Sequence, residues 1–205
     1  MRRWFRRRAQ ESGPDEIAWE RDATGRFTAD SLRRIRRAAE AGHVVSMANL
    51  GVALYQEGDR AGALRWWSRA WEAGNAGAGF NLGTLFTASG DTNRAQVVWE
   101  RAAALGDPDA MLGLVGQGLE RGDQDTVDRW SPLILAQDAA FPVTALGMAF
   151  QTHGREAEAV RAYLRAEELG DAYAMEYRAR ILESHGAHEE AEALRERAKT
   201  AERMM

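Results

Sequence analysis

Along residues 42 to 201 the apolar positions fall into two alternating patterns, both of helical period. Met47, Leu50, Gly51 and Leu54 stand at the i, i+3, i+4, i+7 spacing that gathers side chains on one face of an α-helix. Ala63, Trp67 and Ala70 do the same for a second helix. The pair then recurs. Gly58, Gly90, Gly122, Gly154 and Gly186 form a ladder with a step of 32 residues, and Gly42, Gly74, Gly106, Asp138 and Gly170 form another. Leu50, Leu82, Leu114 and Leu146 keep the same step, as do Gly51, Gly83 and Gly147. Ala63, Ala95, Ala159 and Ala191 follow it too, with Trp67, Trp99 and Tyr163 four residues after the first three. Several ladders sharing one period are the signature of a repeat architecture.

Each period reads as two short helices. The ladder glycines stand where a helix must stop, because glycine enters the left-handed conformation without strain. Asp59, Asn75, Asp91, Asp107, Asp123 and Asp171 follow them as N-caps, so one turn ends a helix and starts the next. A lone hairpin of this kind cannot bury both apolar faces and must stack on its neighbours. The spacing therefore predicts an all-α, right-handed α-solenoid of about five to six helix-turn-helix repeats with a 32-residue period. Five repeats span 42–73, 74–105, 106–137, 138–169 and 170–201. Residues 14–41 read as a divergent hairpin with helices over 14–23 and 29–41, and residues 1–13 as a basic, disordered tail. Pro132 is expected to kink or restart the second helix of the third repeat. The fifth repeat has Arg178 on the leucine ladder and Arg195 on the aromatic one, and its last helix is rich in Glu, Arg and Ala, as suits a polar terminal cap.

The pattern Met47-x-x-Leu50-Gly51-x-x-Leu54, then Ala63-x-x-x-Trp67 and Ala70, resembles a tetratricopeptide repeat. Gly79-x-x-Leu82-Gly83-x-x-Phe86, with Ala95-x-x-x-Trp99 and Ala102, repeats it. The ending Ala-x-x-x-Trp-x-x-x-Ala before Gly74, and the following Asn-Leu-Gly, is also similar to the Sel1-like subclass. The resemblance implies a noncatalytic scaffold or adaptor for protein–protein interaction, whose first helices line a groove that receives a peptide or helix of a partner. The positions this marks are Val45, Asn49, Val52 and Tyr55; Phe80, Asn81 and Thr84; Leu112; Phe141, Thr144 and Met148; and Tyr173, Tyr177 and Arg180. Asn49 and Asn81 are one period apart, and an amide there both donates to and accepts from a ligand backbone. The same side chains have a plainer reading, as filler of the seams between repeats. The third repeat offers Asp109 and Gly113 where a clamp for a terminal carboxylate needs basic side chains, so that ligand is excluded.

Charge adds a second candidate. Lys+Arg 27 against Asp+Glu 31 gives a net charge of -4, yet the first eight residues, MRRWFRRR, hold five arginines and no acid. Arg2, Arg3, Trp4, Phe5, Arg6, Arg7 and Arg8 together suit an anionic lipid surface or a nucleic acid. A membrane or nucleic acid is thus a possible partner only through this tail, and a homo-oligomer through an apolar groove is the third reading. The Arg2-Arg3-Trp4-Phe5 run is followed by polar residues where an export signal needs an apolar stretch, so a cytoplasmic location is expected. The chain has no cysteine, which excludes disulfides and thiol nucleophiles. His153 and His185 precede turn glycines and read as helix C-terminal residues, His188 lying close by; no third ligand is placed by spacing. No phosphate-binding loop or catalytic triad order appears. Neither an enzyme, a metal nor a cofactor is expected.

Overall fold

The computed structural model describes residues 19–204, with side chains to Ala201. It is an all-α solenoid of helical repeats. The described residues form eleven helices: α1 (Ala29–Glu40), α2 (Val44–Gln56), α3 (Arg60–Glu72), α4 (Ala76–Ala88), α5 (Thr92–Ala104), α6 (Pro108–Arg121), α7 (Gln124–Leu135), α8 (Ala140–Thr152), α9 (Glu156–Glu168), α10 (Ala172–Ser184) and α11 (His188–Met204). They fall into two compact units, one ending at Gly106 and the other beginning at Asp107.

The turns follow from glycine and its neighbour. Every glycine of the two ladders has a positive φ, from 70° at Gly122 to 97° at Gly42. Asp59, Asn75, Asp91, Asp107 and Asp123 each accept from the N–H three residues on, and Asp171 from that of Tyr173. His43 caps α2 in the same way through Ser46, which composition alone did not suggest. Three starts lack a side-chain cap: Ala139 before α8, Arg155 before α9 and Ala187 before α11, since an alanine carries no acceptor.

In the first unit, α1 packs beside the hairpins α2/α3 and α4/α5. Ile35, Ala39, Met47, Leu50, Ala63, Trp67, Ala70, Ala78 and Leu82 share one core. The first and second helices of a hairpin are keyed together by glycine and indole. A Cβ on Gly51 would collide with the Trp67 ring, and one on Gly83 with the Trp99 ring. The indole N–H groups donate to backbone carbonyls of the first helices, Trp67 Nε1 to Ala48 at 3.1 Å and Trp99 Nε1 to Phe80 at 3.0 Å. A buried indole thus keeps its polar atom satisfied.

The expected helix over 14–23 is met differently. Residues 14–18 lie outside the described residues, and Trp19 to Ala23 are not helical. Asp22 Oδ1 accepts from Thr24 N, Thr24 Oγ1 and Arg26 N, and Gly25 turns at φ 79°. A carboxylate that saturates local backbone donors offers the chain a turn in place of a helix. An antiparallel bridge between Arg21 and Phe27 closes it, and Thr28 then caps α1.

In the second unit, α6/α7, α8/α9 and α10/α11 are the hairpins. Gly147 accepts the Tyr163 ring as Gly51 accepts Trp67, and the Tyr163 hydroxyl donates to Gln151 Oε1 at 2.7 Å. The third hairpin inverts the sizes, with Val115 fully buried and Ser131 opposite it. Pro132 neither breaks nor restarts α7, which runs unbroken from Gln124 to Leu135; near the helix end it removes few bonds of the ladder. The fifth hairpin is charged. Arg178 occupies the ladder place of Leu50 and pairs at 3.1 Å with Glu167 of α9, which stands on the same ladder as Trp71 and Leu135.

Candidate functional site

The first helix of each repeat presents a face beside its packing stripe, and the structure divides the marked residues along it. In the first unit Val45 is 45% exposed, while Asn49, Val52, Tyr55, Phe80 and Thr84 are half-buried. Tyr55 and Phe80 also belong to the seam. Their rings lie against Trp67 at 5.6 Å and Trp99 at 6.3 Å. The Thr84 hydroxyl donates to the Phe80 carbonyl of its own helix. Asn81 is only 8% exposed. Among the described residues neither the Asn49 nor the Asn81 amide has a protein hydrogen-bond partner. An amide at a wall of valine and aromatic carbon, with its donors and acceptor free, is a handle for the backbone of an extended or helical segment.

In the second unit the face is more mixed. Leu112 and Thr144 are buried, and the Thr144 hydroxyl donates to Asp171 Oδ2 at 2.6 Å, tying α8 to the cap of α10. These two side chains serve the seam. Met148 and Tyr173 are 42% and 49% exposed, and Phe141 is half-buried. Tyr177 stacks on Tyr163 at 5.5 Å, and Arg180 lies over Tyr177 while pairing with Glu176 at 3.4 Å. Gly116 leaves open space where the other first helices carry Val52, Thr84 and Met148.

The remaining sequence candidates, and two tryptophans of α3, separate cleanly. Arg2 to Arg8 lie outside the described residues. Trp66 and Trp71 are both half-buried, each covered by a guanidinium, Arg69 at 4.5 Å and Arg101 at 4.9 Å. His153 ends α8 with Nδ1 2.8 Å from the Ala149 carbonyl, and His185 ends α10 with Nε2 3.1 Å from Glu156. No group of three metal-binding side chains comes together among the described residues. No described helix is long and apolar enough to cross a membrane.

Three polar groups in unusual places were missed by the helical periods. Gln117 is 8% exposed, and neither of its buried amide atoms has a partner among the described residues. Its ladder otherwise reads Ala53, Leu85, Ala149 and Ile181, so one polar residue in an apolar series was the available signal. Ser131 Oγ is likewise buried without a partner among the described residues. Burial raises the Glu167 carboxyl above the usual range, opposed by Arg178 and Arg197.

No protein-family model matches the sequence, and no curated protein matches it. Solved structures do share its fold. An immunity protein, Pa5087 from Pseudomonas aeruginosa, aligns at 18% identity with TM-score 0.60, over 84% of this chain and 72% of that one. A Sel1 repeat protein from Oxalobacter formigenes aligns at 20% identity and TM-score 0.55, over 82% and 84%. A chain of the APC/C hetero-tetramer Cut9–Hcn1 aligns at 15% identity and TM-score 0.56, over 84% of this chain and 36% of its own. The chain thus has the fold of the tetratricopeptide and Sel1-like repeat solenoids.

Proposed function

We propose that the protein is a scaffold that holds a segment of another protein against its first-helix faces. The observation that carries this reading is the pair Asn49 and Asn81, equivalent residues one period apart whose amides find no partner among the described residues. Val45, Val52 and Phe80 beside them supply apolar contact area, and the amides supply register along a bound backbone. In the second unit Met148 and Tyr173 offer exposed apolar surface on the corresponding helices. That a structurally similar chain was solved within the Cut9–Hcn1 assembly agrees with such a role. No residue in this reading performs chemistry.

The test is affinity capture from the native organism with wild type and an Asn49→Ala/Asn81→Ala double variant. Loss of a reproducible partner in the variant, with unchanged helicity, supports the reading. The same partners at the same yield remove both asparagines from the site. Deleting residues 1–9 addresses the tail reading, which rests on five arginines without an acid. If partner capture disappears with that deletion while the asparagine variant behaves as wild type, the tail and not the face is the binding element.

A further inference from the structure

The N-terminal arginines are not the only basic element of this chain. In the first unit α2 and α4 carry no charged residue, whereas α1, α3 and α5 carry nine arginines against four acids, Asp30, Glu40, Glu72 and Glu100. The corresponding α7, α9 and α11 of the second unit have seven basic side chains against eleven acidic ones. Residues four apart share a helix face, and one such pair recurs at the repeat step: Arg33 and Arg37 on α1, Arg65 and Arg69 on α3, Val97 and Arg101 on α5. All six are exposed, whereas Ile35, Trp67 and Trp99 of the same helices are buried.

Most of these cations are unpaired. Arg33 shares Asp30 with Arg34, at 3.1 and 3.2 Å, and Arg94 pairs with Asp91 at 3.1 Å. Among the described residues no carboxylate lies within ion-pair distance of Arg36, Arg37, Arg65, Arg69 or Arg101. Two of these are nevertheless held in place. Arg69 lies over the Trp66 ring at 4.5 Å, and Arg101 of α5 over the Trp71 ring of α3 at 4.9 Å. Stacking engages the flat face of a guanidinium and leaves its in-plane N–H fork free for a phosphate or carboxylate oxygen. Apolar side chains stand among the arginines. Val97 is 67% exposed, the most of any large hydrophobic side chain among the described residues, and Leu64, which precedes Arg65, is 36% exposed.

We propose that the face formed by α1, α3 and α5 binds an anionic lipid surface. The arginines meet headgroup phosphates, each adding about fivefold to partitioning. Val97 and Leu64 enter the boundary between headgroups and acyl chains, as the apolar side chains of interfacial helices do. Glu40, Glu72 and Glu100 oppose this attraction, and the arginine excess of the three helices outweighs them. A nucleic acid fits less well. Its phosphates would leave Val97 in water, and the indoles that bases would stack on are already engaged: Trp66 and Trp71 each have a guanidinium on the ring and pack against the core. The surface is independent of Asn49 and Asn81, which stand on the uncharged helices α2 and α4.

The test is co-sedimentation of the full chain with vesicles of phosphatidylcholine alone and of phosphatidylcholine and phosphatidylglycerol in equal parts. Binding is expected on the mixed vesicles only, falling steeply as salt is added. Arg37→Gln/Arg65→Gln replaces exposed side chains that touch neither indole, so helicity should be unchanged while binding weakens about 25-fold. Val97→Ser should weaken it about threefold. Arg129→Gln/Arg161→Gln in the second unit and Asn49→Ala/Asn81→Ala should both leave it as in wild type, so the scaffold reading can fail while this one stands. No binding to the mixed vesicles overturns the proposal. So does binding that Arg37→Gln/Arg65→Gln leaves unchanged, which would assign it to residues 1–9, and so does equal weakening by the second-unit pair, which would make it a matter of net charge. Tighter binding of a single-stranded oligonucleotide than of the mixed vesicles, or no effect of Val97→Ser, overturns the choice of lipid.

Discussion

The hairpins α2/α3 and α6/α7 solve one packing problem in opposite ways. In the first, glycine on the first helix lets the backbone meet a full indole at Trp67, which is satisfied by the Ala48 carbonyl. In α6/α7 the first helix supplies the bulk, Val115, and the second supplies Ser131, whose hydroxyl is buried without a partner. Exchanging large and small between facing helices roughly preserves the approach of the two helices but not the polar accounting, since Ser cannot reach across the seam as an indole does. What the repeat fixes is the distance between helices; the side chains that fill it are interchangeable, at a local cost.

Four substitutions sharpen that contrast. The largest effect is expected at Trp67→Ala, which empties the key of the first hairpin and should cost about 3–5 kcal/mol; Ser131→Ala removes an unmatched hydroxyl and should stay within about 0.5 kcal/mol of wild type. Urea unfolding resolved by hydrogen exchange in α2–α3 and α6–α7 measures both, and equal losses would refute the inversion of roles. Next, Arg178→Leu restores the ladder leucine but leaves Glu167 buried without its partner, and should cost about 3 kcal/mol. Replacing both, Glu167→Leu/Arg178→Leu, should recover that loss or exceed wild type.

The pH dependence of this pair follows from burial. The Glu167 carboxyl is held above its ordinary value by desolvation. Its favourable contribution is fully present below the ordinary glutamate value of about 4.3 and is lost as pH rises through the raised one. Relative to Glu167→Gln, wild type should therefore become less stable as the pH is taken from about 4 to 7. A flat difference between the two would show that Glu167 is no more strained ionised than protonated.

Smaller effects test the glycines and caps. Gly51→Ala forces a Cβ into the Trp67 ring and should cost about 1–3 kcal/mol. Gly116→Ala meets nothing within 4 Å and should stabilise α6 by about 0.5–1 kcal/mol. Thermal melts that rank the two the other way would discount the close approach at Gly51. Last, Asp91→Ala removes a cap that accepts from Arg94 N at 3.1 Å and should cost about 1 kcal/mol, while Ala139→Asp supplies α8 with the cap it lacks and should gain a similar amount.

Much of this was legible before any coordinates. The period, the hairpins, the stopping glycines and the capping aspartates are local or nearly local features. Each is set by the conformational freedom of glycine, by side-chain acceptors beside a helix start, and by apolar positions at helical spacing. The seam at Trp67 was legible too, because a ladder of glycines opposite a ladder of aromatics admits one packing. The segment from Trp19 to Phe27 was not, since its helical pattern competes with an Asp22 turn whose outcome depends on three hydrogen bonds. The division of the marked face was equally hidden. Thr144 and Met148 sit one helical turn apart on α8, yet one is tied to Asp171 and the other is open.

The sequence by itself determined that this chain is built of helical hairpins, and where most of the repeat helices begin and end, because those choices are made within a few residues by backbone strain and capping. Only the tertiary structure decided which polar side chains found partners. Among the described residues Arg178 met Glu167 across the α9–α10 seam, Asn49 and Asn81 kept free amides, and the Ser131 hydroxyl was buried without a partner, because satisfaction depends on neighbours brought together by stacking rather than by sequence.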